Sequence, residues 1–278
     1  MSSNETSYAI TVLDTDGSVL VESNGLALFE TMSSIKSPIG TLAINKACEL
    51  KGSIDDEDDL MVTTTHNSNG SGKLKDSLPS AFPITLRNAL YHNIIESDCV
   101  ATNVLIDYLG GKDTVNDKIR REMGIVGIEL VTERINFEGV NHREVPFQVG
   151  RGTTRDFAKY YQQIWSDSSE LIDEHRWHRN LHKLVNTARL FGVGQRELAR
   201  SVSWIHKTGS GEDVNDSNLY STMMDAGELQ INNRTLYVAA ALTVNHSDGP
   251  MPSRADILAD FAERNTKAIA DIPSRPAA

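Results

Sequence analysis

Met32-Ser33-Ser34-Ile35-Lys36-Ser37-Pro38 is the stretch on which the reading of this chain turns. A helical pattern follows it from Ile39 to about Glu49, so Ser33 and Lys36 stand three residues apart at a helix start, where such residues share a face. A lysine held beside a serine in a desolvated setting can take the hydroxyl proton and make a nucleophile. The spacing alone says little, because serine and lysine are common, and it gains meaning only from what lies elsewhere.

Two further short motifs follow in order. Ser97-Asp98-Cys99 opens the run Glu96-Ser97-Asp98-Cys99-Val100-Ala101-Thr102-Asn103-Val104-Leu105-Ile106-Asp107, whose helical period stops at Gly110-Gly111. Lys207-Thr208-Gly209-Ser210-Gly211 falls on an expected strand near the other end. Upstream of Ser33, Tyr8 to Leu13 and Val19 to Val21 flank the turn Asp14-Thr15-Asp16-Gly17 and read as a hairpin. Downstream, Asn67 to Lys75 is a loop, and Thr85 caps a helix that opens at Ile84-Thr85-Leu86-Arg87. Residues from about Glu133 to Gly152 show no period and read as a long loop, after which Thr153-Thr154-Arg155-Asp156 caps a helix to about Ser166. Another helix is expected over Ser169 to Asn186. Strands follow at Ser203 to His206, Ser217 to Gly227 and Thr235 to Val244, where Leu236 to Leu242 is a near-continuous buried run, and a last amphipathic helix covers Arg254 to Ile269. Strands at both ends and helices in the middle predict an α/β (α+β) domain spanning 1–278. Its sheet lobe comes from 1–32 and 195–278 and its helical lobe from about 33–194.

A serine-lysine pair followed by S-D-N and K-T-G motifs is the signature of class A β-lactamases and penicillin-binding proteins, and this chain resembles the class A β-lactamase family over nearly its whole length. Tyr8 to Leu13 is similar to the family's first strand, Ser71-Gly72-Lys73-Leu74 to the loop before the S-D-N helix, and Thr153 to Asp156 to the helix start after the omega loop. The family's long N-terminal helix is absent or very short here. The resemblance implies a β-lactamase/transpeptidase-like fold: a five-stranded antiparallel sheet with flanking helices, plus an all-helical lobe. It implies that Ser33 attacks a lactam or amide carbonyl, Lys36 helps to take and relay its proton, and Ser97 passes a proton to the departing nitrogen. Lys207 would hold Ser97 electrostatically and attract the substrate carboxylate, with Thr208 bonding that carboxylate. Gly209 completes the K-T-G motif, and the amides of Ser33 and Ser210 would form an oxyanion hole. Asn103 would brace the omega loop, and no metal or organic cofactor is implied.

Two positions depart from the family pattern. Cys99 stands where the family has asparagine, and a thiol is a poor hydrogen-bond partner. It is read as a tolerated small replacement, with a shifted substrate class and a nucleophilic Cys99 as the alternatives. The family's deacylating glutamate corresponds best to Glu138 in Asn136-Phe137-Glu138-Gly139-Val140-Asn141. The asparagine expected four residues beyond is His142; Asn141 could substitute in a shortened loop, and Glu144 is the fallback base.

Composition narrows the partners. Acidic residues outnumber basic ones, 38 to 27, for a formal charge of −11, which argues against nucleic acid. No run is apolar enough to span a membrane, and the first residues lack the features of a secretory signal. The expected partner is a small-molecule substrate, a β-lactam or small amide, bound by a monomer. Asp55-Asp56-Glu57-Asp58-Asp59 is read as a solvated loop or helix start rather than a metal site, and Cys48 as a buried thiol. Glu174, His175, His178 and His182 are read as a polar helix face, Trp204 as core and His206 as facing solvent or the cleft rim. The expected function is a serine hydrolase opening β-lactams through acyl-Ser33. The alternatives are a related amidase, peptidase or esterase, or a covalent β-lactam-binding protein that turns over poorly.

Overall fold

A computed structural model describes residues 5–78, 80–136, 149–166, 172–185, 202–212, 219–231, 233–246, 252–270 and 272. Its contacts group the chain into two compact units, one from residues 1–34, 152–166 and 186–278, the other from 35–151 and 167–185.

The first unit is built on a hairpin and three long strands. β1 (Glu5–Leu13) and β2 (Val19–Ser23) are joined by the turn at Asp14 to Gly17, where Gly17 takes a φ of 81°. β8 (Ser203–Glu212), β9 (Leu219–Ile231) and β10 (Arg234–His246) complete an antiparallel sheet in the order β2-β1-β10-β9-β8. The short β3 (Phe29–Glu30) follows the hairpin. The N-terminal strand thus pairs with the last one, Ile10 opposite Ala240 and Val12 opposite Val238, while β8 is an edge.

Leu236 to Leu242 is buried at every residue because both faces of the sheet are covered. Side chains alternate between the faces. Leu236, Val238, Ala240 and Leu242 join Ile10, Val12, Ile257, Phe261 and Ile269 in one core, which the final helix, α7 (Arg254–Ala270), closes. The alternate residues Ala239 and Ala241 are small, and α5 (Thr154–Trp165) packs against β1, β9 and β10, with Thr11 and Thr154 hydroxyls 3.0 Å apart. The Thr153 side chain accepts from the Asp156 amide and caps α5 as the sequence predicts.

The second unit centres on α1 (Lys36–Lys51), buried over most of its first three turns and surrounded by α2 (Leu86–Ile94), α3 (Cys99–Leu109), α4 (Lys112–Glu122) and α6 (Asp173–Lys183). Pro38 is tolerated because it sits in the first turn, and Gly52 ends α1 at a φ of 87°. Thr85 caps α2, Asp98 caps α3, and Gly110 ends α3 in the left-handed region. The strands β4 (Leu60–Val62) and β5 (Phe82–Ile84) pair with each other; β6 (Ile128–Leu130) and β7 (Gly150–Gly152) complete the set.

Several expectations are corrected. α4 has no counterpart in the sequence reading, and residues 150–152, expected to be loop, form β7. His178 and His182 do not lie on a polar surface but are fully buried against α1, because Gly40 and Ser37 leave them room. His206 is buried, its Nδ1 2.7 Å from Asp225 Oδ1, with the Trp204 ring stacked on it at 5.3 Å. Cys48 is half-exposed, since it falls near the end of α1, where the helix emerges. Asp55 to Asp59 is a loop, exposed at Asp55, Asp56, Asp58 and Asp59. No helix among the described residues is long and apolar enough to cross a membrane.

Candidate active site

Ser33 lies in a 3-10 turn, Met32–Ile35, that runs directly into α1. From Phe29 to Ile44 every residue is buried except Ser33, which is half-exposed. Met32 before it adopts a φ of 45°, a left-handed conformation that strains a side chain of its size. The strain is held by packing on the sheet. Ser34 Oγ lies 3.3 Å from the carbonyl oxygens of both Lys207 and Met224. A Cβ on Gly209 would fall 2.3 Å from the Thr31 carbonyl oxygen and 2.8 Å from the Ser33 amide nitrogen. Glycine at 209 is therefore what lets β8 lie against the serine turn, and within this unit Ser33 is gathered with Lys207, Thr208, Gly209 and Ser210. Lys207 is buried with its Nζ 2.9 Å from the Thr208 carbonyl oxygen.

One turn beyond Ser33, Lys36 is buried, and its hydrogen-bond partners among the described residues belong to the helical unit. Nζ donates to the Ser97 carbonyl oxygen, stands 3.2 Å from Ser97 Oγ and 3.4 Å from Cys99 Sγ. Asn93 Nδ2 holds the Lys36 carbonyl at 2.9 Å, and Thr102 Oγ1 fixes the Asn93 amide from behind at 2.8 Å. Ser97 itself takes a φ of 54°, which turns its carbonyl towards Lys36 and Ser71. The Asp98 carboxylate accepts from the amides of Ala101 at 3.0 Å and Leu74 at 2.9 Å, so it caps α3 and ties down the 67–75 loop. The loop can approach so closely because Gly72 has no side chain; a Cβ there would be 2.0 Å from Asp98 Oδ2.

Asn103 accepts from the Ile135 amide at 2.8 Å and donates to the carbonyls of Ile135 and His66, so it anchors the chain just ahead of residue 137. Glu138, Asn141, His142 and Glu144 lie outside the described residues.

Sequence reasoning missed three contributors. Ser71 donates to the Ser97 carbonyl and has its Oγ 3.6 Å from Cys99 Sγ, and its own carbonyl receives the Cys99 amide at 2.9 Å. Asn93 sets the start of α1, and Asp225 buries a carboxylate under His206 and Trp204, whose Nε1 donates at 3.3 Å. Ser71 had a signal, its place before Gly72-Lys73; Asn93 and Asp225 had none, because their partners are remote in sequence. Among the described residues no group of three or more His, Cys, Asp and Glu could hold a metal ion.

Solved structures resemble this chain over almost all of it. A class A β-lactamase from Bacteroides cellulosilyticus aligns with a TM-score of 0.77 at 20% identity, covering 97% of this chain and 92% of its own. A β-lactamase from Sphaerobacter thermophilus aligns at 0.71 and 22%, covering 97% and 94%. PBP-A aligns at 0.71 and 20%, covering 96% and 89%. The shared architecture is the β-lactamase/transpeptidase-like fold, with its five-stranded antiparallel sheet and flanking helices. No match was found among curated protein sequences. The model of the β-lactamase enzyme family matches residues 1–274, and the chain belongs to that family.

Proposed function

We propose that this protein is a serine hydrolase that opens β-lactam amide bonds through an acyl intermediate on Ser33. The observation that carries this reading is the half-exposed Ser33 in an otherwise buried run, followed one turn later by a buried Lys36 whose Nζ rests on Ser97. A half-exposed serine in a buried run, one turn ahead of an amine held by a second hydroxyl, suits nucleophilic catalysis with proton relay. In this mechanism Ser33 Oγ attacks the lactam carbonyl as Lys36 takes its proton. Ser97 then delivers a proton to the departing nitrogen. The amides of Ser33 and Ser210 receive the developing oxyanion, and Lys207 and Thr208 bind the substrate carboxylate. Glu138 activates the water that releases the product.

Intact-mass spectrometry with a penicillin and a cephalosporin, followed over time, tests the reading. A transient adduct on Ser33 that clears as product accumulates is expected. Ser33→Ala should give none, and Glu138→Gln should keep the adduct. Full turnover by either variant removes that residue from its role.

The likeness to PBP-A favours a second reading, a penicillin-binding protein that acylates and releases slowly. One of the similar structures is described as a PBP-A variant in an acyl-enzyme complex with penicillin G, at 22% identity. A permanent adduct on the unaltered protein would decide for it.

A further inference from the structure

Two nucleophiles face one another inside the helical unit. Cys99 Sγ and Lys36 Nζ are 3.4 Å apart, and both residues are buried. They come from the starts of two different helices, α3 and α1, and each is fixed independently. Lys36 is held through Asn93 and the Ser97 carbonyl, Cys99 through its amide on Ser71 and the Asp98 cap. Ser71, which borders the thiol at 3.6 Å, is exposed, so the sulfur touches a side chain that reaches solvent. A thiol becomes an electrophile once it is oxidised to a sulfenic acid, and a sulfenic acid condenses with a nitrogen nucleophile at hand. The nitrogen is already at the surface of the sulfur.

From this geometry we infer that Lys36 and Cys99 form a reversible sulfenamide crosslink under hydrogen peroxide, which makes the pair a redox switch. In the first step Sγ attacks peroxide, the O–O bond breaks, Cys99 becomes a sulfenic acid and one water leaves. In the second, Lys36 Nζ attacks Sγ as the neutral amine. The N–S bond forms as the S–OH bond breaks, and hydroxide departs with the amine proton as a second water. The sulfur is oxidised by two electrons and peroxide is reduced by two. A thiol reductant reverses the change by attacking the sulfur and freeing the amine. The crosslink consumes the base assigned to Ser33, so acylation stops while it lasts. That consequence rests on the proposed function; the crosslink itself does not.

The other cysteine provides the contrast. Cys48 is half-exposed, and burial followed by the nearby carboxylates of Glu174 and Glu49 pushes its thiol up. Replacing it also removes the ambiguity of a disulfide, which would change the mass equally.

The test uses the Cys48→Ser protein treated with hydrogen peroxide and read by intact mass and peptide mapping. The expected product is lighter by two hydrogens, with the Lys36 and Cys99 peptides joined, and it reverts with dithiothreitol. Penicillin adducts should vanish from every crosslinked chain and return on reduction. In the same background Lys36→Met, checked for fold by circular dichroism, should give no lighter product, and its Cys99 should gain oxygens instead. Cys99 ending as a sulfinic acid with Lys36 free would overturn the inference, as would an oxygen-bridged crosslink. So would a lighter product that persists in Lys36→Met, since the nitrogen would then be another. A crosslink in a protein that never acylates would defeat the functional reading and leave the switch standing.

Discussion

At Gly209 the strand and the serine turn come so close that no side chain fits: the first atom of one would sit 2.3 Å from the Thr31 carbonyl oxygen. Backbone on both sides leaves nothing flexible to yield, so Gly209→Ala must displace either β8 or the turn that carries Ser33. A shift of about 1 Å in a reacting group is enough to slow chemistry on the order of 100-fold. Acylation of Gly209→Ala by a penicillin, timed by mass spectrometry, should slow by about that factor; an unchanged rate would show that the contact does not position Ser33 for the proposed reaction. Lys207, two residues earlier, is legible in sequence as a charge, but its burial is not. Nor is the half-exposure of Ser33 amid buried neighbours.

Helix α6 shows how an element can mislead a reader of sequence. It carries Glu174, Arg176, Arg179 and Lys183, and the histidines among them look like more polar surface. In fact His182 is tied at 2.7 Å to Ser37 Oγ and at 3.0 Å to the His178 carbonyl. That carbonyl only accepts, so His182 carries a proton on Nδ1. His178 Nε2 and His175 Nδ1 are buried without a hydrogen-bond partner among the described residues. Burial, followed for His178 by its histidine neighbours, holds both His178 and His175 below the ordinary histidine value of 6.5. The folded state therefore resists protons that the unfolded chain accepts, and stability is constant above about pH 7 and lost as pH falls below 6.5. Each such histidine adds at most about 1.4 kcal/mol per pH unit to this slope. Urea unfolding between pH 5 and about pH 7 should show this, and His178→Leu should flatten it; an equal slope in that variant would place the titration elsewhere. By contrast, the caps at Thr85 and Thr153 and the stop at Gly110 were readable because a cap is a local device. α4 escaped notice because it buries only Val115, Asn116 and Ile119, and its remaining support is ion pairs such as Lys118 with Glu122 and Asp117 with Arg121.

Across the whole molecule the sheet unit is assembled from three separated pieces of chain. The first hairpin forms one edge of the sheet: β2 is the edge strand, and β1 pairs with β2 on one side and with β10 on the other. Two-stranded hairpins are barely stable alone in water, so β1 must wait for strands more than two hundred residues later. A fragment ending at residue 200 should show helical circular dichroism at most, with no protected amides over Tyr8 to Leu13 in hydrogen exchange. Protection there would mean that the hairpin stands without β10. The closure of the sheet by both termini was foreseeable from the apolar run at Leu236 to Leu242. The pairing of Asp225 with His206 was not, because no pattern within β8 announces a carboxylate nineteen residues on.

Ser97 holds a left-handed backbone at φ 54°, a conformation that costs a side-chain-bearing residue about 1–3 kcal/mol. Glycine would relax that strain and delete the hydroxyl in the same stroke. Ser97→Gly should therefore melt higher and acylate more slowly, whereas Ser97→Ala should lose the hydroxyl with no gain in melting temperature. Differential scanning calorimetry beside adduct kinetics separates the two. Breeding this protein for heat resistance alone would reward the glycine, and successive rounds would drift towards sturdier chains that have forgotten their chemistry.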